Sequence, residues 1–204
     1  MGMPLGMWIL YRKSFKKNLI LVLNVNKKDA KQITRKSKIK YKDIINKLPE
    51  FEKEDPFKMN IINTSLLAAF ILNLKEKPNV DDLTKYYHES MMTKATIWFC
   101  KKGGKKKFNE ETIKRQEYYA SLNFGDRNEY SWNYEVIRYP DGWEARFFKC
   151  GICKLMKDLG IYELTPALCH LDYSMSEAGG ASNFIRKYTL ASGGEYCDCF
   201  YQKK

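Results

Sequence analysis

Over roughly the first 125 positions apolar residues recur every three or four places; beyond Ser131 they alternate with polar ones. The clearest helix is Asn60 to Leu74, where Ile62, Leu66, Phe70 and Leu74 fall at i, i+4 spacing with Leu67 and Ile71 alongside, a wide apolar face. A looser stripe of Ile33, Ile39, Ile44, Ile45 and Leu48 predicts a lysine-rich helix over 29–48, stopped by Pro49. Asn79 followed by Asp81 and Asp82 reads as a helix start, because Asn accepts from exposed amides and acids suit the positive end of the dipole. The pattern predicts one helix from there, carrying Leu83, Tyr87, Met91, Ile97 and Trp98 and closing at Gly103-Gly104. Another opens at Asn109-Glu110-Glu111 and runs to about Leu122.

Trp132, Tyr134 and Val136, then Trp143, Ala145 and Phe147, sit on either side of Tyr139-Pro140-Asp141-Gly142, which predicts a β-hairpin. Residues 151–160 and 166–178 read as two short helices, the second with Thr165 as N-cap and Pro166 at its first position. A strand over 184–190, a turn at Ser192-Gly193-Gly194 and a strand over 196–201 follow. The expected class is α+β: a helical N-terminal half packed on a small antiparallel sheet of about four strands with a two-helix excursion. With no linker or repeat between them, a helical part (about 1–125) and a cysteine-rich sheet part (about 130–204) form one domain, 1–204.

At 204 residues with 44% hydrophobic and 14% aromatic content, the chain can build its own core, which excludes a disordered or collagen-like protein. Its 36 Lys+Arg against 24 Asp+Glu leave a net +12. The cations are mostly spread, and the densest run, Lys101-Lys102-Gly103-Gly104-Lys105-Lys106-Lys107, reads as a solvated loop since no Lys-Ser/Thr pair opens a helix as a P-loop requires. No recognition motif supports nucleic acid as a partner. Trp8-Ile9-Leu10-Tyr11 is cut off by Arg12-Lys13 and Lys16-Lys17, and no apolar run is long enough for a signal peptide or a bilayer span, so the expectation is a cytoplasmic protein with no membrane partner. The sequence sets no oligomeric state.

The chemistry lies in six cysteines: Cys100, Cys150, Cys153, Cys169, Cys197 and Cys199. A cytoplasmic setting disfavours disulfides and leaves packing, metal binding or catalysis. Cys100, at an apolar helix end beside Trp98 and Phe99, reads as packing. Cys150-x2-Cys153 with Cys197-x-Cys199 is a four-thiolate set for zinc or iron, the alternative to an enzyme. The other reading is a nucleophile: Cys169 and Asp172 at i, i+3 share a helix face, and Cys169, three residues after Pro166, would have its thiolate favoured by the helix N-terminus. His170 points elsewhere, and His88, between Tyr87 and Glu89, reads as packed or exposed.

Cys150-Gly-Ile-Cys153, Leu168-Cys169-His170-Leu171-Asp172-Tyr173 and Arg186-Lys187-Tyr188-Thr189-Leu190-Ala191-Ser192-Gly193-Gly194-Glu195-Tyr196-Cys197-Asp198 together resemble the C-terminal signature of the L-2-amino-thiazoline-4-carboxylic acid hydrolase family. The resemblance is good over about 130–204 and extends to the helical half only in general layout. It implies ring opening of a cyclic amidine thioether to an N-carbamoyl cysteine, with a small-molecule substrate and no cofactor. Carried over by position, the family's marked residues fall on Cys150, Cys169, Asp172, Arg186, Thr189, Cys197 and Asp198. From the helix-start position of Cys169 and its face shared with Asp172, we expect Cys169 as nucleophile or base and Asp172 as amidine anchor, with Arg186 as clamp for the substrate carboxylate and Cys197, Asp198 and Thr189 as supports. Similar proteins follow Cys-Asp with an aromatic and then a basic residue; here Cys199 and Phe200 stand there.

Overall fold

The computed structural model describes residues 3–204. Its first helix, α1 (Leu5–Leu21), has no counterpart among the predicted elements. Trp8, Tyr11, Phe15, Asn18 and Leu19 are its buried residues, an unbroken helical face, while Arg12, Lys13 and Lys17 lie on the exposed side. Helix α2 (Lys27–Lys47) is capped by Asn26, whose Oδ1 accepts from the Asp29 amide at 2.9 Å. Its buried face runs through Ile33, Ser37, Tyr41, Ile44 and Ile45; Ile39, counted in the predicted stripe, points to solvent. Helix α3 (Lys58–Ile71) is buried almost all round and forms the centre of the larger core.

The predicted helix from Asn79 to Gly104 is two helices, α4 (Val80–Met91) and α5 (Lys94–Gly104). Thr93 divides them: its hydroxyl accepts from the Thr96 amide, a cap that restarts the chain in a new direction. The change of direction leaves Trp98 and Phe99 exposed, so the end of α5 is not the apolar packing environment expected around Cys100. Helix α6 (Glu110–Ser121) and a single turn, α7 (Phe124–Arg127), lead to the hairpin of β1 (Asn133–Tyr139) and β2 (Gly142–Lys149). After α8 (Gly151–Asp158) come α9 (Thr165–Cys169), α10 (Leu171–Gly179), β3 (Ser182–Ile185) and β4 (Cys197–Lys203).

The sheet is antiparallel throughout, ordered β1-β2-β4-β3, and with the helical first half it makes the α+β class expected. Ala145 faces Cys199 and Phe147 faces Cys197 across β2 and β4, so both thiols lie on the buried side of the sheet with Tyr134, Trp143 and Phe184. Strand β3 is shorter than predicted. The chain leaves the sheet at Arg186 because the Asp198 carboxylate, not a strand backbone, takes the amides of Lys187 and Tyr188. Among the described residues no helix is long and apolar enough to cross a membrane.

Helices α5 and α10 cross at two glycines. A Cβ on Gly104 would stand 2.2 Å from the Gly179 carbonyl oxygen, which is backbone and cannot rotate away. Gly104→Ala is therefore expected to force the helices apart and lower stability by about 2 kcal/mol, read as a shifted urea midpoint with unchanged slope. Gly103→Ala, with nothing within 4 Å of the added carbon, is the control and leaves stability intact or slightly raised.

Candidate active site

Arg186 assembles the site. It follows β3, and its guanidinium donates from Nη1 to Asp172 Oδ2 and from Nη2 to the Cys169 carbonyl oxygen, both at 2.8 Å. The rings of Tyr173 and Phe184 stand 5.2 Å from it, and the Arg186 side chain is only 6% exposed. One buried cation thus ties the end of α9 to the start of α10 and fixes Cys169 beside Asp172. Two of the five N–H donors of Arg186 are thus engaged within the protein, and little of its surface reaches solvent for the clamp role expected of it.

Asp172 differs from its partner in being open. Its side chain keeps 46% of its surface, yet desolvation by the surrounding protein pushes its pKa above the ordinary carboxylate value and outweighs the opposing pull of Arg186. The carboxylate is thus crowded by protein on one side and open to solvent on the other. Oδ2 is held by Arg186, and Oδ1 accepts no hydrogen bond among the described residues. Tyr87 on α4 and Tyr201 on β4 back the carboxylate, and both phenols are pushed up in pKa, first by burial and then by the Asp172 charge.

Cys169 is not at a helix start. The chain already turns through a 3-10 turn at Tyr162–Leu164, Thr165 donates its hydroxyl back to the Tyr162 carbonyl instead of capping forward, and α9 ends on Cys169 after five residues. The expected dipole stabilisation of a thiolate is therefore absent. Burial raises the Cys169 pKa to about 12 despite the help of Arg186, so it is a protonated thiol in the empty site. His170 is exposed, against the ring of Tyr173, and His88 bonds Ser174 on α10 through Nδ1 at 2.7 Å.

The remaining signature residues hold the loop that carries Arg186. Asp198 accepts from the amides of Lys187 and Tyr188, Thr189 Oγ1 accepts from the Ser192 amide at 3.1 Å, and Cys197 Sγ accepts from the Leu190 amide at 3.2 Å. Gly193 takes the left-handed conformation this turn needs, with φ of 84°. Burial lifts the Cys197 pKa to about 11, and Cys199, facing Asp172 and Arg186, is pushed higher still by burial first and Asp172 second. Cys150 and Cys153 face each other at the start of α8, and the Cys153 hydrogen bond, followed by burial, pushes Cys150 far up. The four-thiolate set is not assembled: Cys150 and Cys153 line a groove with Tyr162 and Leu190, whereas Cys199 faces Asp172 and Arg186. Among the described residues, no three His, Cys, Asp or Glu side chains converge as metal ligands.

One residue of the site has no signal in the motifs. Lys107, from the run read as a solvated loop, turns inward past the Gly104–Gly179 crossing, and its carbonyl oxygen accepts from Trp143 Nε1 at 3.2 Å. Its Nζ lies 3.7 Å from the centroid of the Tyr201 ring, close enough to Asp172 to feel its charge.

No curated protein and no solved structure matches this sequence. A family model does: it spans residues 59–201, about seven-tenths of the chain, and so takes in α3 to α6 as well as the sheet and every residue placed around Asp172. With a match of that extent, the chain belongs to the L-2-amino-thiazoline-4-carboxylic acid hydrolase family.

Proposed function

We propose that this protein opens the ring of 2-amino-thiazoline-4-carboxylate, or of a close cyclic amidine relative, to an N-carbamoyl-cysteine-type product, with Cys169 as nucleophile. The observation that carries the reading is the Arg186 fork, which fixes Cys169 and Asp172 side by side and leaves one carboxylate oxygen open.

The chemistry follows from the charges. A neutral amidine arriving beside Asp172 takes the Cys169 proton on its ring nitrogen, giving a thiolate and an amidinium that donates to Asp172. The cation beside Cys169 offsets the burial that otherwise keeps the thiol protonated. Thiolate attack forms a bond from Sγ to the amidine carbon and moves the π electrons onto nitrogen. The tetrahedral intermediate then expels the ring sulfur as a thiolate and leaves a positively charged isothiourea beside Asp172. Water adds to the same carbon and gives one proton to that thiolate; Cys169 departs with the remaining proton, and the water oxygen becomes the carbamoyl oxygen. One water is consumed, and Asp172 holds the nitrogen whenever it carries the positive charge. Cys197, Thr189 and Asp198 act at one remove, by fixing the Arg186 loop.

Incubating the purified protein with 2-amino-thiazoline-4-carboxylate is expected to yield N-carbamoyl cysteine and free thiol in equal amounts. In labelled water one heavy oxygen enters the carbamoyl group, and acid quenching during turnover traps protein heavier by one intact substrate. A well-folded sample that produces neither thiol nor carbamoyl product from this compound sinks the proposal.

A further inference from the structure

We infer that Lys107 is an anion-binding residue of this site and takes the carboxylate of the substrate, with Asp172 holding the amidine. The inference rests on the reading above for the identity of the substrate, but its geometry stands alone.

Among the described residues no carboxylate oxygen lies within 4 Å of Lys107 Nζ and no acceptor hydrogen-bonds it; what it touches is a ring face. The three N–H donors of an ammonium in a largely desolvated place are costly to leave unmade, and Lys75, Lys77 and Lys154 each bond a carboxylate at about 3 Å. Lys107 is also held in place. Its backbone is tied to Trp143, and Gly104 against Gly179 sets the approach of its segment to α10. An unpartnered, positioned cation and a partly open carboxylate, with Tyr201 next to both, are complementary to a small molecule bearing one positive and one negative end. Arg186 is less open to an anion: two of its five N–H donors are on Asp172 and the Cys169 carbonyl, and its side chain is only 6% exposed.

The groups facing Lys107 are Asp172 from α10, Cys100 from α5 and the ring of Tyr201 from β4. Burial pulls its pKa down to about 8, against Asp172 and then Cys100, which raise it. An anion bound there would favour the charged form.

The test is equilibrium binding of two inert probes, 2-amino-thiazole-4-carboxylate and its carboxamide, whose aromatic ring resists opening. Wild-type protein is expected to prefer the acid by at least about tenfold, the magnitude of one charge-assisted hydrogen bond. Lys107→Met should bring the acid-to-amide ratio to near one, and Lys107→Arg should keep part of it. Wild type should itself lose the preference as pH rises through about 8, a reading that needs no variant. With its buried charge gone, Lys107→Met should melt no lower than wild type. An unchanged acid preference in Lys107→Met, or no preference in wild type at pH 7, overturns the inference. If the acid preference depends on Lys107 but the thiazoline is not hydrolysed, the anion site stands and the hydrolase reading falls; the reverse pattern keeps hydrolysis and removes Lys107.

Discussion

Cys169→Ala should abolish turnover of 2-amino-thiazoline-4-carboxylate, with kcat falling by at least about a thousandfold, the usual scale for loss of a nucleophile. The fold should not notice. Arg186 bonds the backbone carbonyl of residue 169, not its side chain, so the link from α9 to α10 survives and the variant should melt within a few degrees of wild type. Cys169→Ser is expected to be nearly as inactive, since a hydroxyl is a poorer nucleophile and a harder proton donor to the substrate nitrogen. Substrate binding should persist in both, because Asp172 and Lys107 are untouched. The pH profile offers a second check. Asp172 must be ionised to hold an amidinium, and burial raises its pKa, so the acid limb of kcat/KM in wild type should lie above the ordinary carboxylate value of 3.8. A Cys169→Ala protein that retained full turnover would return the chemistry to direct attack by water.

Much of the fold was legible because it is written in local periodicity. The i, i+4 ladder of Ile62, Leu66 and Phe70, the Asn79 cap and the Tyr139-Pro140-Asp141-Gly142 turn each carry their own signal, and each stands where predicted. What escaped was set by tertiary contacts or by caps inside a continuous pattern. In α1 the charges at Arg12, Lys13 and Lys17 read as an interruption, whereas they are its solvent side. At Thr93 the helical spacing continues across a cap, so two helices read as one. Thr165-Pro166 has the form of a helix start, but the preceding residues already turn, and the electrostatic argument for Cys169 fails with it.

The site divides along the same line. Cys169 and Asp172 were placed together by their spacing and Arg186 was found through a motif, but the bonds of Arg186 to both segments were not legible: they depend on β3 ending at Ile185 and the next residue swinging toward α10. Lys107 was hidden among lysines of identical local character. Only the crossing of Gly104 over Gly179, which no spacing reveals, separates it from its solvated neighbours.

Because Arg186 carries that arrangement, its removal should cost both stability and activity. In Arg186→Met the Asp172 carboxylate loses its hydrogen-bonded cation, and the Cys169 carbonyl loses its donor. Breaking a fully buried ion pair costs roughly 3–5 kcal/mol; Asp172 is partly open to water, which screens the loss, so about 2 kcal/mol is expected from the urea midpoint. Activity should fall at least about a hundredfold, since α9 and α10 no longer fix the thiol against the carboxylate. Arg186→Lys is the informative companion. It keeps the charge but a single ammonium does not reproduce a planar fork that spans Oδ2 and a carbonyl, so it should regain part of the stability and little of the turnover. Arg186→Met combined with Asp172→Asn should be more stable than Arg186→Met alone, because the amide leaves no uncompensated charge behind, while activity stays lost. If the double variant were as unstable as the sum of its parts, Arg186 and Asp172 would be independent. The site would then be held by the Asp198 and Thr189 contacts of the loop, not by the fork.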